Sequence, residues 1–267
     1  MRIKHIAERL ANTLLGRVRL EIRKKSESER LTLRGTLAQA ASLGFKPATV
    51  IDVGADVGTY ELYEPFADAK LLLIEPLVEN EPSLRRVVAR YPGAEYVIAA
   101  ATGKKGKVTI NVHPDFNGSS LYLEREDSDV NGVPRTIPAF TLDDLCKARG
   151  LMGPYLLKVD VQGAELDVLA GASEILEDTE YVVLEVSLFQ TFVDGPQLHD
   201  VVAFMKERGF VAYDIFGHNY RPLDGAMCQI DMAFVKDKSP FRRVHAFATK
   251  EQRATLNAHA VRGRRAA

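Results

Sequence analysis

The stretch Thr49–Tyr63, TVIDVGADVGTYELY, decides how the rest of the chain is read. A β-branched run ends in an acid, Gly54 and Gly58 follow in quick succession, and a helix-like segment begins after them. Strand, tight turn and helix in that order open a nucleotide-binding βα unit. Gly54 can take backbone angles closed to other residues, and its missing Cβ lets a ligand approach the main chain. Gly58 allows the following helix to pack close. A dinucleotide fingerprint would have a third glycine, whereas this loop runs G-A-D-V-G through Ala55. Its acids, Asp52 and Asp56, would repel a pyrophosphate and suit a ligand with a cationic end. Taken alone, the loop is equally readable as a plain strand-to-helix turn.

The next strand supplies a check. LLLIEP ends in Glu75 and Pro76, about 20 residues after the glycines, where an acid accepts hydrogen bonds from ribose hydroxyls. NAD and S-adenosylmethionine both carry an adenosine ribose, so Glu75 indicates adenosine without separating them. Further along, apolar runs at 95–100, 155–161 and 181–188 read as buried strands, with helical patterns at 58–66, 77–90, 141–149 and 163–176. Strands alternating with helices predict an α/β fold with a parallel sheet covered on both faces. FVAYDIF (210–216) and CQIDMAFVK (228–236) lie close enough in sequence to form an antiparallel edge pair. The prediction is a doubly wound, Rossmann-like class I methyltransferase sheet of seven strands. Between Lys107 and Phe140, short alternating stretches with turns at FNGSS and DVNGVPR predict a β-rich insertion.

Composition narrows the partners. Residues 1–25 carry a net charge of +6 and residues 248–267 a net of +4, which leaves about −11 for the middle of a chain whose total is −1. An acidic body argues against nucleic acid. The basic N-terminal helix, with Ile3, Ile6, Leu10 and Leu14 at helical spacing, suits peripheral contact with an anionic membrane, or equally a solvated face. The expected division is a helical extension at 1–45, a catalytic domain at 46–247 and a basic, disordered tail at 248–267. Cys146 and Cys228 form no CxxC, no secretory pattern precedes the domain, and a reducing cytoplasm fits.

The later motifs carry a family resemblance. GFKPATVIDVGADVGTY, LLLIEP, AATGKKGKV, TLDDL and above all LLKVDVQGAELDVLAGA (156–172) resemble the FkbM-type S-adenosylmethionine-dependent methyltransferases over roughly Gly44 to Lys236. Asp56 stands where the family usually has Asn. The resemblance implies S-adenosylmethionine as cofactor, Ala100 beside the adenine, and O-methylation of a sugar, glycan or natural-product hydroxyl. An NAD-dependent oxidoreductase and an inactive cofactor-binding scaffold are the alternatives.

Candidate chemistry gathers at LKVDVQGAE. Lys158 and Asp160 stand two apart on a strand and emerge on one side at its carboxyl end. Asp160, tuned by Lys158, is the leading general base, with Glu185 and His113 as other bases. His113, Asn117, Ser119 and Ser120 of the insertion are candidate acceptor contacts, joined by the aromatic Phe116 and Tyr122. Phe189, Gln190 and Phe192 are expected to help roof the acceptor pocket. EVSLF offers a single acid, so no metal is expected. The acceptor's identity and the oligomeric state are not written in the sequence.

Overall fold

The computed structural model describes residues 30–126 and 128–264, so the predicted N-terminal helix lies outside the described residues. The chain divides into two units, Met1–Lys236 and Asp237–Ala267. In the first, helix α1 (Leu33–Ser42) is capped by Thr32, whose hydroxyl accepts from Gly35 N–H at 3.1 Å. Then follow β1 (Thr49–Val53), α2 (Tyr60–Tyr63), β2 (Lys70–Glu75), α3 (Glu81–Arg90) and β3 (Ala94–Ile98). After β4 (Ala100–Ala101), β5 (Gly106–Val112) and β6 (Val133–Phe140) come α4 (Leu142–Arg149), β7 (Tyr155–Val159), α5 (Glu165–Ala170) and α6 (Ser173–Glu177). The unit ends with β8 (Thr179–Ser187), α7 (Leu198–Glu207), β9 (Phe210–Tyr220) and β10 (Met227–Lys236).

Seven strands form the main sheet in the order β3-β2-β1-β7-β8-β10-β9. Pairs among β3, β2, β1, β7 and β8 are parallel, while β10 is antiparallel to both β8 and β9. Every residue of β1 and β7 is buried, as strands covered on both faces must be. Ile51, Leu72, Leu157, Val182 and Phe234 belong to the same fully buried core. The order reverses between β1 and β7, which opens a crevice beyond their carboxyl ends. A small second sheet, β4-β6-β5, is the predicted insertion with one added strand.

Several boundaries differ from expectation for identifiable reasons. The strand expected at 95–100 stops at Ile98, and Ala100–Ala101 pairs instead with Ala139–Phe140 in the small sheet. The helix expected over 163–176 breaks at Gly171, where a Cβ would lie 2.2 Å from the Thr102 carbonyl oxygen. Only glycine lets that backbone in, and the close approach ends α5. Helix α1, part of the expected extension, belongs to the first unit: Gln39 Nε2 donates to Tyr213 Oη at 3.0 Å, and Thr36 bonds Asp214. In the second unit the tail expected to lack structure forms α8 (Lys250–Arg264). Thr249 and Gln252 cap its start reciprocally, at 3.2 and 2.9 Å. Among the described residues no helix is long and apolar enough to cross a membrane.

Candidate active site

A cavity of about 350 Å³ fills the crevice at the reversal point, a size suited to a small organic ligand. Its floor comes from the ends of β1, β2 and β7, and its roof from the 116–121 loop of the insertion. Among the described residues, three of the four non-glycine residues with positive φ line it: Asp56 (46°), Phe116 (68°) and Gln162 (55°). Backbone strain of this kind concentrates where the surrounding structure holds a site open. Ser120 Oγ donates to the Gln162 carbonyl at 2.5 Å and so pins roof to floor.

At one end sits Glu75, buried at the tip of β2. One of its oxygens accepts from Asp56 N–H at 2.8 Å; the other accepts from Leu77 N–H at 2.9 Å and Asn80 Nδ2 at 3.3 Å. Asn80 also donates to Asp56 Oδ1 at 2.9 Å, closing a small ring of polar groups around the glycine loop. A carboxylate offers about four lone-pair sites. With three in use, Glu75 keeps one acceptor site free of protein donors. Burial pushes its pKa up, against the pull of those same donors.

The glycine loop is shaped first by its own neighbours. Gly54 has φ +75°, and a Cβ there would lie 1.8 Å from the Asp160 carbonyl oxygen, so the loop closes on the end of β7. Gly58 faces Val87 of α3, 2.6 Å from where its Cβ would be, as close helix packing requires. Asp52 does not line the cavity. It is buried beneath the loop, where the Tyr63 hydroxyl donates to one oxygen and Lys158 Nζ lies 3.6 Å from the other.

At the opposite end Asp160 lines the cavity just past β7. Lys158 Nζ donates to one of its oxygens at 3.2 Å and Gln162 Nε2 to the other at 3.1 Å. The same Gln162 nitrogen donates to Glu185 at 2.9 Å, and Gln229 Nε2 donates to Glu185 at 3.1 Å. Asp231 of β10 stands directly opposite Glu185 in the antiparallel pair, so the two carboxyl groups share a face. Burial, then the charge of Asp160, raises both Glu185 and Asp231, the latter to about 7. Glu165, buried under the turn, accepts from Val161 and Gly163 N–H at 3.2 and 3.1 Å and is pushed by burial to about 7. Burial alone would lower Lys158, but Asp160 and Asp52 outweigh it and hold the ammonium charged.

Of the residues expected at the site, the structure gathers Gly54, Asp56, Glu75, Pro76, Ala100, Asn117, Ser119, Ser120 and Asp160 around one cavity. Lys158 and Glu185 stand behind Asp160, and Ala55 and Gly58 support the loop without lining it. His113 turns away, its Nδ1 2.6 Å from Asp115. Phe192 is buried against Gly163, and Gln190 accepts from Arg125 at 2.5 Å, so neither faces the cavity. Asn80, Gln162 and Asp231 carried no signal of their own in the sequence.

Residues 52–212 match the Methyltransferase FkbM domain family. The chain belongs to this family. It is therefore a methyltransferase, and use of S-adenosylmethionine is implied by that membership, which decides against the oxidoreductase reading of the loop. Among curated FkbM-like relatives, 2-O-methyltransferase NoeI of Sinorhizobium fredii is 29% identical over 56% of this chain and 68% of its own length. Hexuronic acid methyltransferase AglP of Haloferax volcanii is 25% identical over 51% of this chain and 54% of its own. Among solved structures, magnesium protoporphyrin IX methyltransferase from Synechocystis PCC 6803 covers 87% of this chain and 96% of its own at 13% identity, with a TM-score of 0.42.

Proposed function

We propose that this protein transfers a methyl group from S-adenosylmethionine to a hydroxyl oxygen of a sugar, glycan or natural-product acceptor. The observation that carries the reading is one continuous cavity with Glu75 at one end and Asp160 at the other. The name of NoeI, a 2-O-methyltransferase, supports transfer to oxygen, and that of AglP, a hexuronic acid methyltransferase, supports a carbohydrate acceptor.

The donor set fits the cofactor. Glu75 keeps one acceptor site for a ribose hydroxyl, and Asp56 and Asp160 give the cavity the negative charge that a sulfonium and an amino group match. When bound, S-adenosylmethionine supplies a methyl group already activated by its sulfonium. The chain's own residues then hold the acceptor oxygen in line, which costs orientation rather than new chemistry. Asp160 takes the hydroxyl proton: its side chain is 33% exposed, and after Lys158 and Gln162 are counted it still has lone pairs free. Lys158 Nζ and the Gln162 amide donate to Asp160 and orient it, and the same amide bridges Asp160 to Glu185.

Replacing Asp160 with Asn tests this role. Removal of a positioned general base costs typically 10²–10⁴-fold in rate. The expected result for Asp160→Asn is a kcat fall of about that size with S-adenosylhomocysteine affinity within about 3-fold of wild type. Near-normal turnover would remove Asp160 from the mechanism. Cofactor binding with no turnover on any hydroxyl acceptor would favour a scaffold.

A further inference from the structure

Residues 161–163, the turn that carries the chain away from Asp160, are gripped from two sides. Gln162 has φ +55° and Gly163 φ +95°, and a left-handed glutamine is costly unless its surroundings impose it. On one side a single Glu165 oxygen accepts from Val161 N–H at 3.2 Å and Gly163 N–H at 3.1 Å. On the other, the Ser120 hydroxyl donates to the Gln162 carbonyl at 2.5 Å. That hydroxyl also accepts from Tyr122 N–H at 2.9 Å. Ser120 is 3% exposed, and its backbone pairs with Asn111 at 2.8 and 3.2 Å. It reaches the cavity wall with its donor already spent.

From the turn so held, Gln162 Nε2 spans Asp160 at 3.1 Å and Glu185 at 2.9 Å, with one amide N–H available to each carboxylate. Glu185 is anchored from the sheet as well: Gln229 Nε2 donates to it at 3.1 Å, and Asn219 Nδ2 donates to Gln229 Oε1 at 3.1 Å. We infer that Ser120 is a positioning residue for methyl transfer: from the insertion it holds Gln162 left-handed, and Gln162 in turn fixes the Asp160 carboxylate against the reacting hydroxyl. This rests on the reading of Asp160 as the base. Without the Ser120 hydroxyl, the Gln162 carbonyl loses its donor and the turn can relax. The amide that spans the two carboxylates then leaves them. Asp160 keeps Lys158 alone, and a carboxylate held by one oxygen swings away from the geometry that in-line transfer needs. The insertion thus orients the group beneath it as well as roofing the cavity.

Kinetics separate this role from direct contact with the acceptor. Methyl-labelled S-adenosylmethionine and a panel of methyl hexosides and hexuronates give kcat and KM for wild type, Ser120→Ala, Gln162→Met and the double variant. Ser120→Ala should lower kcat about 10-fold with KM within about 2-fold. The double variant should match Gln162→Met within about 2-fold, because both changes act through one amide. A rise in KM at unchanged kcat, or losses that multiply in the double variant, would make Ser120 an acceptor contact and overturn the inference. So would an equal kcat loss in Tyr122→Phe, which cuts a separate tie between the insertion and α5, Tyr122 Oη to Asp167 at 2.8 Å.

A second measurement needs no acceptor. In nitrogen-labelled spectra of the S-adenosylhomocysteine complex, the Gln162 side-chain amide is assigned by its loss in Gln162→Met. It should exchange with water at least about 10-fold more slowly than free glutamine amides. Ser120→Ala should return it to free exchange while S-adenosylhomocysteine affinity stays within about 3-fold of wild type. If no acceptor in the panel is labelled, this signal decides. An amide that exchanges freely in the wild-type protein, or one unchanged in Ser120→Ala, overturns the inference. Failure of the wild-type protein to bind S-adenosylhomocysteine, or full turnover in Asp160→Asn, would instead bring down the reading on which it rests.

Discussion

At one end of the cavity, Glu75 is held by Leu77, Asn80 and Asp56, none more than 19 residues away in sequence. At the other, Asp160, Glu185 and Asp231 come from the ends or middles of three different strands and converge only when β7, β8 and β10 are laid side by side. The first end is local and its carboxylate is nearly saturated by two backbone donors and the Asn80 amide. The second is non-local, crowded with like charge, and kept together by one buried lysine and two glutamine amides. Under the proposed function, the site is rigid where Glu75 would hold the cofactor and electrostatically tense where Asp160 would act on the acceptor.

The largest expected effect falls at the tense end. Lys158→Met leaves Asp52 and Asp160 without their shared cation, and breaking a buried ion pair from one side costs about 3–5 kcal/mol. Denaturant unfolding should show a loss of that size. A loss under about 1 kcal/mol would mean that Lys158 does not hold the two carboxylates in place.

Glu75→Gln should behave differently, because the amide preserves shape and the surrounding donors are local. Both Glu75 oxygens accept from N–H groups, so the amide NH2 must face one of those donors; stability should fall by about 1–3 kcal/mol, while S-adenosylhomocysteine affinity falls roughly 10- to 100-fold, as loss of a charged hydrogen-bond acceptor predicts. An unchanged affinity would place the ribose elsewhere and dissolve the comparison.

That contrast also explains what the sequence disclosed. The glycine loop, Glu75 and their spacing were legible because a βα unit and the next strand are close in the chain. So was the sheet, since TVIDV, KLLLIE and YLLKV are apolar throughout, as central parallel strands must be. Asn80 was not, because a single Asn entering a helix looks like any cap. Asp231 was not, because its place beside Glu185 depends on the register of β10 against β8. That His113 and Phe192 do not line the cavity was hidden for a similar reason: loop composition does not say which way a side chain turns once Asp115 or Gly163 is beside it.

A smaller effect concerns pH. Glu165 and Asp231 are each raised to about 7 by burial, and Glu185 is raised as well. An acid whose pKa rises on folding binds its proton more tightly in the folded state. Folded stability should then fall as pH climbs from about 4 towards about 7, and level off above. Between pH 5 and 8 the loss should be about 2–3 kcal/mol for each of Glu165 and Asp231, and Asp231→Asn should remove its share. Stability that rises over that interval would show these carboxyl groups to be ionised already at pH 5.

The smallest effect is expected at His113. Because its ring faces Asp115 rather than the cavity, His113→Ala should leave kcat/KM within about 2-fold, a change below 0.5 kcal/mol on the scale where ~1.4 kcal/mol is tenfold. A fall of 100-fold or more would return it to the catalytic candidates and weaken the claim for Asp160.

The central claim is that the crevice between β1 and β7 is an S-adenosylmethionine site. Isothermal titration of the full chain with S-adenosylhomocysteine and, separately, with NADH tests it most directly. The account predicts one saturable site for S-adenosylhomocysteine, weakened by Glu75→Gln, and no heat with NADH. No binding of S-adenosylhomocysteine, or equal binding of NADH at the same site, would contradict it.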